Sequence, residues 1–326
     1  MLKQIKNIKI SLVLFSLLYL CLVGCKEESS TIETRLRTSF DADWKFIQEN
    51  IKGAEVVDFN DTNWQTVNVP HDWSIEGEYD ESNPMGAQCG YLPAGFGWYR
   101  KTIDVPSSWK GKQVEIAFDG VFMNSTVWAN GVKLGNRPYG WVSFAYDISD
   151  IVDSTDQITF AVHVDNDKQP SARWYTGSGI YAHTWIDVKN KTNIARDGIF
   201  VTTKGGQVFV ETEFAPENKD VKNAVLVTSI LDKSGVVVAS SEEKIENLNT
   251  ATKIELAISN PNRWSTETPY LYTLKSELLV NNKLVDVVKT KFGVRDIEWI
   301  AETGMWINGE NVKLQGGFVI IKMLEL

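Results

Sequence analysis

The chain is poor in cysteine and histidine, has no basic cluster past its N-terminus, and shows no segment with sustained helical periodicity. Its 326 residues include three cysteines and three histidines. Cys21 and Cys25 fall in the N-terminal segment, which leaves Cys89 alone in the body. A disulfide framework and a cysteine-based metal site are thereby excluded. Lysine and arginine number 33 against 42 aspartates and glutamates, a net charge of -9. Beyond Lys3, Lys6 and Lys9 no basic run occurs. Nucleic acid, whose phosphates demand a Lys/Arg surface, is therefore not an expected partner. Neutral or polar ligands suit this charge balance better.

What is present is a globular composition, 43% apolar and 23% charged, with twelve Trp and ten Tyr. The length leaves room for two or three domains of about 100 to 200 residues each. Tryptophan and tyrosine rings are amphipathic and stack well on C–H faces, sugars included. They are equally at home in β-sandwich cores. Both uses stay open for any single ring.

The N-terminus reads as an export signal. Three lysines precede an apolar run from Ile10 to Val23, the length of a signal-peptide core and short for a membrane span. Leu22-Val23-Gly24-Cys25 resembles the bacterial lipobox, in which the cysteine is lipidated. Residues 1–25 are thus expected to be a lipoprotein signal, with Cys25 as the lipidation site and residues 26–37 as a solvated tether. Lipid chains hold firmly because each buried methylene contributes about 0.8 kcal/mol. The expected location is the bacterial periplasm or the outer-membrane and cell surface. An ordinary cleaved signal is the alternative.

From residue 38 the sequence alternates apolar and polar positions in short runs broken by Asn, Asp, Gly and Pro, which predicts strands and turns. Gly97–Val105, Gln113–Phe118, Ser125–Ala129 and Gln157–His163 are candidate strands. Asn130-Gly131 is a hairpin turn signal. Residues 38–189 are expected to form a jelly-roll sandwich. Seven further short strands between 192 and 293 predict an immunoglobulin-like sandwich without its cysteine pair. Asn308-Gly309 marks one more hairpin near the end. The fold class is therefore all-β.

Several stretches resemble glycoside hydrolase family 2: Gly97-Trp98-Tyr99-Arg100-Lys101, Val127-Trp128-Ala129-Asn130-Gly131, and Arg173-Trp174-Tyr175-Thr176-Gly177-Ser178-Gly179-Ile180-Tyr181. Pro70-His71-Asp72-Trp73 points to the β-galactosidase-like branch. The resemblance implies a β-glycoside as partner and two sandwiches preceding a (β/α)8 barrel. It also implies a loop of the first sandwich that reaches over the barrel mouth. Asn83, in Asn83-Pro84-Met85-Gly86, and Arg173 with Trp174 match loops that help bind the terminal sugar. Amide and guanidinium groups suit paired hydroxyls, and Trp174 offers a stacking face. A turn role for Asn83 and a structural ion pair for Arg173 are the alternatives. His71 and Asp72, adjacent and expected on a strand, would point to opposite faces, so a structural role is favoured over proton transfer. Arg295 is expected to form a domain-junction ion pair. Ala182 departs from the family, which more often has Arg there.

No catalytic residue is assigned. Retaining hydrolysis needs two carboxyl groups about 5 to 5.5 Å apart, held on a barrel of about 250 residues. Residues 294–326 resemble only the start of such a barrel, and Glu310 and Glu325 are the carboxylates that follow Asn308. The chain as given is expected to be inactive, with no cofactor or metal. A stand-alone carbohydrate-binding or adhesion module is the rival reading. The ending Ile320-Ile321-Lys322-Met323 replaces the family's His-His motif, and loss of one base from codons for that motif would produce it. A frameshift is the expected cause.

Overall fold

The computed structural model describes residues 34–218, 220–314 and 316. The expected signal, Cys25 and the segment Ile320–Met323 lie outside the described residues. In chain order the first ten strands are β1 (Arg35–Ser39), β2 (Trp44–Ile47), β3 (Gln65–Val67), β4 (Gly95–Asp104), β5 (Gln113–Phe118), β6 (Ser125–Ala129), β7 (Val132–Arg137), β8 (Phe144–Asp147), β9 (Gln157–Asn166) and β10 (Thr184–Lys189). They make two antiparallel sheets, β1-β10-β5-β8 and β3-β2-β4-β9-β6-β7. Non-sequential neighbours on both sheets are what a jelly roll requires. Between them lies a core of large rings, with Trp44, Tyr99, Phe118 and Phe160 fully buried.

Seven strands follow: β11 (Asn193–Lys204), β12 (Gln207–Ala215), β13 (Ala224–Leu231), β14 (Val237–Ile245), β15 (Thr252–Ala257), β16 (Tyr272–Val280) and β17 (Lys283–Phe292). They pair as β11-β12-β15 and β14-β13-β16-β17, the two-sheet arrangement of an immunoglobulin-like sandwich. Along β13 and β16 every second residue is buried, so one face of that sheet is dry and the other wet. The sequence alternation places a strand over Gly235–Ser240, whereas β14 begins at Val237 and runs on to Ile245. It is an edge strand whose residues are mostly exposed, so no apolar alternation marks its second half.

Local turn chemistry matches the sequence. Asn130 and Gly131 both have positive φ, 47° and 75°, as do Asn308 and Gly309 at 53° and 83°. A two-residue hairpin turn with φ above zero at both positions follows the twist of its strands. The second pair joins β19 (Gly304–Ile307) to β20 (Glu310–Val312), and with β18 (Ile297–Ile300) these form a small antiparallel sheet.

Charged groups join the two sandwiches. Arg35 of β1 donates to both carboxylate oxygens of buried Asp286 on β17, at 2.6 and 3.1 Å, and also to the Ile194 carbonyl. Arg196 of β11 reaches Asp187 at 2.6 Å and Glu115 at 3.4 Å on the first sandwich, where Lys189 also pairs with Glu115 at 3.1 Å. Among the described residues Arg295 does not form the expected ion pair. Its guanidinium sits 4.7 Å over the Trp264 ring, and the neighbouring pair Arg263–Asp296 carries the charge contact at that junction. A flat aromatic face at Trp264 gives the planar cation a partner that no carboxylate competes for.

Candidate functional site

At the end of the first sandwich where β4 begins and β9 ends, the segments 68–94 and 167–183 converge. His71 and Asp72 are not on a strand: Asp72 is the N-cap of a short helix α1 (Trp73–Glu76), its carboxylate accepting from the Ser74 N–H at 3.0 Å. The same carboxylate accepts from the Ser178 N–H at 2.8 Å and from the Tyr175 hydroxyl. Gly177, at φ 73°, lets it approach, since a Cβ there would meet an Asp72 oxygen at 2.7 Å. Burial, reinforced by the Asp72 contact, pushes the Tyr175 phenol far above its ordinary range and keeps it a donor. His71 is buried, with Nδ1 2.7 Å from the Tyr99 hydroxyl and Nε2 3.3 Å from Glu76. Both residues are committed to holding the loops.

Asn83 closes a turn: its amide donates to the Glu78 and Tyr91 carbonyls, both at 2.9 Å. Among the described residues its side-chain oxygen makes no hydrogen bond, so the turn role and an outward acceptor coexist. Arg173 is exposed and has no ion-pair partner among the described residues. Trp174 is 61% exposed. Tyr79, Tyr91 and Tyr175 are also exposed around this cluster.

A further tie between the two segments is Cys89, which the sequence offered only as a leftover thiol. It packs with Met85, Leu92 and Ala94 in a small core under the loop, and its thiol donates to the Trp174 carbonyl at 3.1 Å. Burial pushes the thiol pKa up, which keeps the donor proton in place. No sequence signal marks this contact, because it joins positions 85 residues apart. An open cleft of about 330 Å³ lies beside α1, lined by Phe46, Gln48, Trp73 and Glu76 among others, and does not include Asn83, Arg173 or Trp174. No group of three or more His, Cys, Asp or Glu among the described residues is arranged to hold a metal ion.

The cluster therefore offers an amide oxygen, a guanidinium and open aromatic faces on loops fixed from beneath. That combination suits a polyhydroxylated ring, whose hydroxyls bond planar polar groups and whose C–H faces stack on aromatics. The family model for the sugar binding domain of glycosyl hydrolases family 2 matches residues 37–203, and the model for glycosyl hydrolases family 2 matches residues 186–295. The chain belongs to glycosyl hydrolases family 2.

Among family 2 relatives, the β-galactosidase BoGH2A of Bacteroides ovatus is 37% identical over 303 residues, which is 90% of this chain and 36% of that protein. A β-glucuronidase of Formosa agariphila is 31% identical, covering 89% of this chain and 32% of its own length. Among solved structures, a family 2 member from Bacteroides cellulosilyticus superposes with a TM-score of 0.82 at 34% identity, over 86% of this chain and 38% of that one. A β-glycosidase from Bacteroides vulgatus gives 0.80 at 36% identity, over 86% and 36%. The chain thus spans about a third of the length of the family 2 relatives it matches.

Proposed function

We propose that this chain supplies the sugar-binding front of an exo-acting β-glycosidase of the β-galactosidase type. The observation that carries the reading is the convergence of two loops on one exposed surface, with Cys89 bonded to the Trp174 backbone and Asp72 bonded to Tyr175. In this reading Asn83 and Arg173 bond hydroxyls of the terminal sugar and Trp174 stacks on its ring. Hydrolysis belongs to a barrel of the kind the resemblance implies. Asp72 accepts three hydrogen bonds and Glu76 bonds His71, so these two carboxylates are spent on holding the loops. Export and lipid attachment at Cys25 complete the proposal, supported by the Lys-flanked apolar run and its Leu-Val-Gly-Cys ending.

A chimera tests the sugar role. Residues 37–295 replace the matching segment of the Bacteroides ovatus β-galactosidase, and turnover of a chromogenic β-galactoside is measured. Trp174→Ala is expected to raise KM about tenfold, a loss of about 1.4 kcal/mol of binding. An active chimera whose KM ignores both Trp174→Ala and Asn83→Ala would remove these residues from the site.

The rival, a self-sufficient carbohydrate-binding module, has one observation in its favour: the loops are pinned entirely by contacts within this chain. Calorimetric titration with methyl β-galactoside separates the two. Submillimolar binding by the chain alone supports the module.

A further inference from the structure

Away from the loop cluster, a second exposed aromatic surface has no assigned role. It centres on the loop between β7 and β8, where Tyr139, Trp141 and Val142 are 59%, 45% and 46% exposed. Large apolar side chains this exposed and this close together mark a contact surface more often than chance. The loop is held in place at several points. The Asn124 N–H bonds the Pro138 carbonyl at 3.1 Å, and the Tyr181 hydroxyl donates to the Gly140 carbonyl at 2.8 Å. Gly140 is pressed so closely on Phe122 that a Cβ would lie 2.4 Å from its ring. The Trp141 ring then packs 5.2 Å from Phe122 and 5.6 Å from Tyr181, tilted to both.

The rings continue along the chain. Tyr181, His183 and Trp185 are alternate residues entering β10, and His183 and Trp185 lie 5.8 Å apart. Polar groups flank them: Asp41 bonds His183 at 2.7 Å, Asp119 accepts from the Trp185 indole at 2.8 Å, and Arg37 sits over the Trp185 ring. This surface lies on the other side of the 178–180 segment from the loop cluster. Trp73 bonds the Ser178 carbonyl, whereas Phe122 exchanges both backbone bonds with Gly179, and neighbouring residues of an extended segment bond to opposite sides.

We propose that this strip, led by Trp141 and Tyr139, is an accessory binding site for a neutral oligosaccharide chain. Trp141 packed on Tyr181, followed by His183 and Trp185 at alternate positions, sets rings in series, which matches a ligand that is itself a line of rings. Rigid aromatics cost little ordering entropy on binding. The chain's net charge of -9 disfavours an anionic polymer. The proposal does not depend on the role of Asn83, Arg173 and Trp174, because it uses different residues on a different side of the sheet.

Affinity electrophoresis of the full chain through gels containing soluble β-1,4-galactan, galactomannan or xyloglucan tests the strip. Retardation is expected in at least one gel, at least tenfold weaker in Trp141→Ala and unchanged in Trp174→Ala. Tyr139→Ala, which removes an exposed ring with no aromatic neighbour within stacking range, should weaken retardation severalfold while leaving the thermal midpoint in place. That variant keeps the test valid if Trp141→Ala fails to fold. Retardation in none of the three gels overturns the proposal, as does retardation lost in Trp174→Ala and kept in the strip variants. Retardation that survives Tyr139→Ala and Trp141→Ala together also overturns it, and assigns the exposed rings to a protein surface.

Discussion

The first sandwich closes on many large rings, among them Trp44, Trp73, Tyr99 and Phe160, whereas the second closes mainly on Val, Leu and Ile, with Tyr272 and Phe292, in two clusters. A layer of hydroxyls lies between those clusters. Val210, Ile230 and Leu274 belong to one cluster, Leu226 and Leu278 to the other, and the alternate positions between them are Thr212, Thr228 and Ser276. All three are fully buried, and their hydroxyls have no hydrogen-bond partner among the described residues. The connections differ in the same way. In the second sandwich β16 turns into β17 through Asn281 and Asn282 alone, both at positive φ. In the first, long irregular segments hang between strands and are fastened by buried polar groups. Rings bury more area per residue, and the buried polar groups fasten the long segments around them. The family model of the sugar binding domain falls on the first sandwich.

Removing the fastening gives the largest expected effect. Arg100 is buried on β4, pairs with Asp61 at 2.8 Å, and donates to the carbonyls of Ala54, Val56 and Val57. Arg100→Met leaves that carboxylate and those carbonyls without their donor, a loss of about 3 to 5 kcal/mol. Denaturant unfolding measures it. A loss under about 1 kcal/mol would mean that the segment is held by its apolar contacts, Trp64 and Ala54 among them, and not by the cation.

The second sandwich should respond in the opposite direction. Thr228→Val swaps an unpartnered buried hydroxyl for a methyl of similar shape, so stability should hold or rise by up to about 1 kcal/mol. A clear loss would instead reveal a water bridging the hydroxyl layer, and the contrast between polar fastening and polar indifference would fail.

The smallest effect lies at the junction after β17. The Gly205 N–H, and then Arg263, hold the Asp296 carboxyl below its ordinary value of 3.8. A depressed folded pKa stabilises above the unfolded value and loses that contribution as pH falls through the folded one. The thermal midpoint of Asp296→Asn should therefore fall slightly below wild type near neutrality, and the gap should close in strong acid. A gap that persists at the lowest pH would assign the effect to packing around Trp264.

Much of this was legible before any coordinates. Asn130-Gly131 and Asn308-Gly309 specify their turns through backbone sterics that involve no distant residue. Alternation along β13 and β16 fixes which face is dry. The second half of β14 escaped because an edge strand needs no apolar face, and α1 escaped because a helix of four residues has no period to detect. His71 and Asp72 looked like strand neighbours for the same reason.

The order of β-runs, the turn chemistry and the family motifs determined the two-sandwich architecture and the place of Asn83, Arg173 and Trp174 on loops. Those signals are local, and each is written in a few consecutive residues. Tertiary structure alone decided that Cys89 bonds the Trp174 backbone, that Asp72 is spent on Tyr175 and Ser178, and that Trp141 packs beside Tyr181. Each of these contacts joins residues dozens of positions apart, and only the pairing of the sheets brings them within reach.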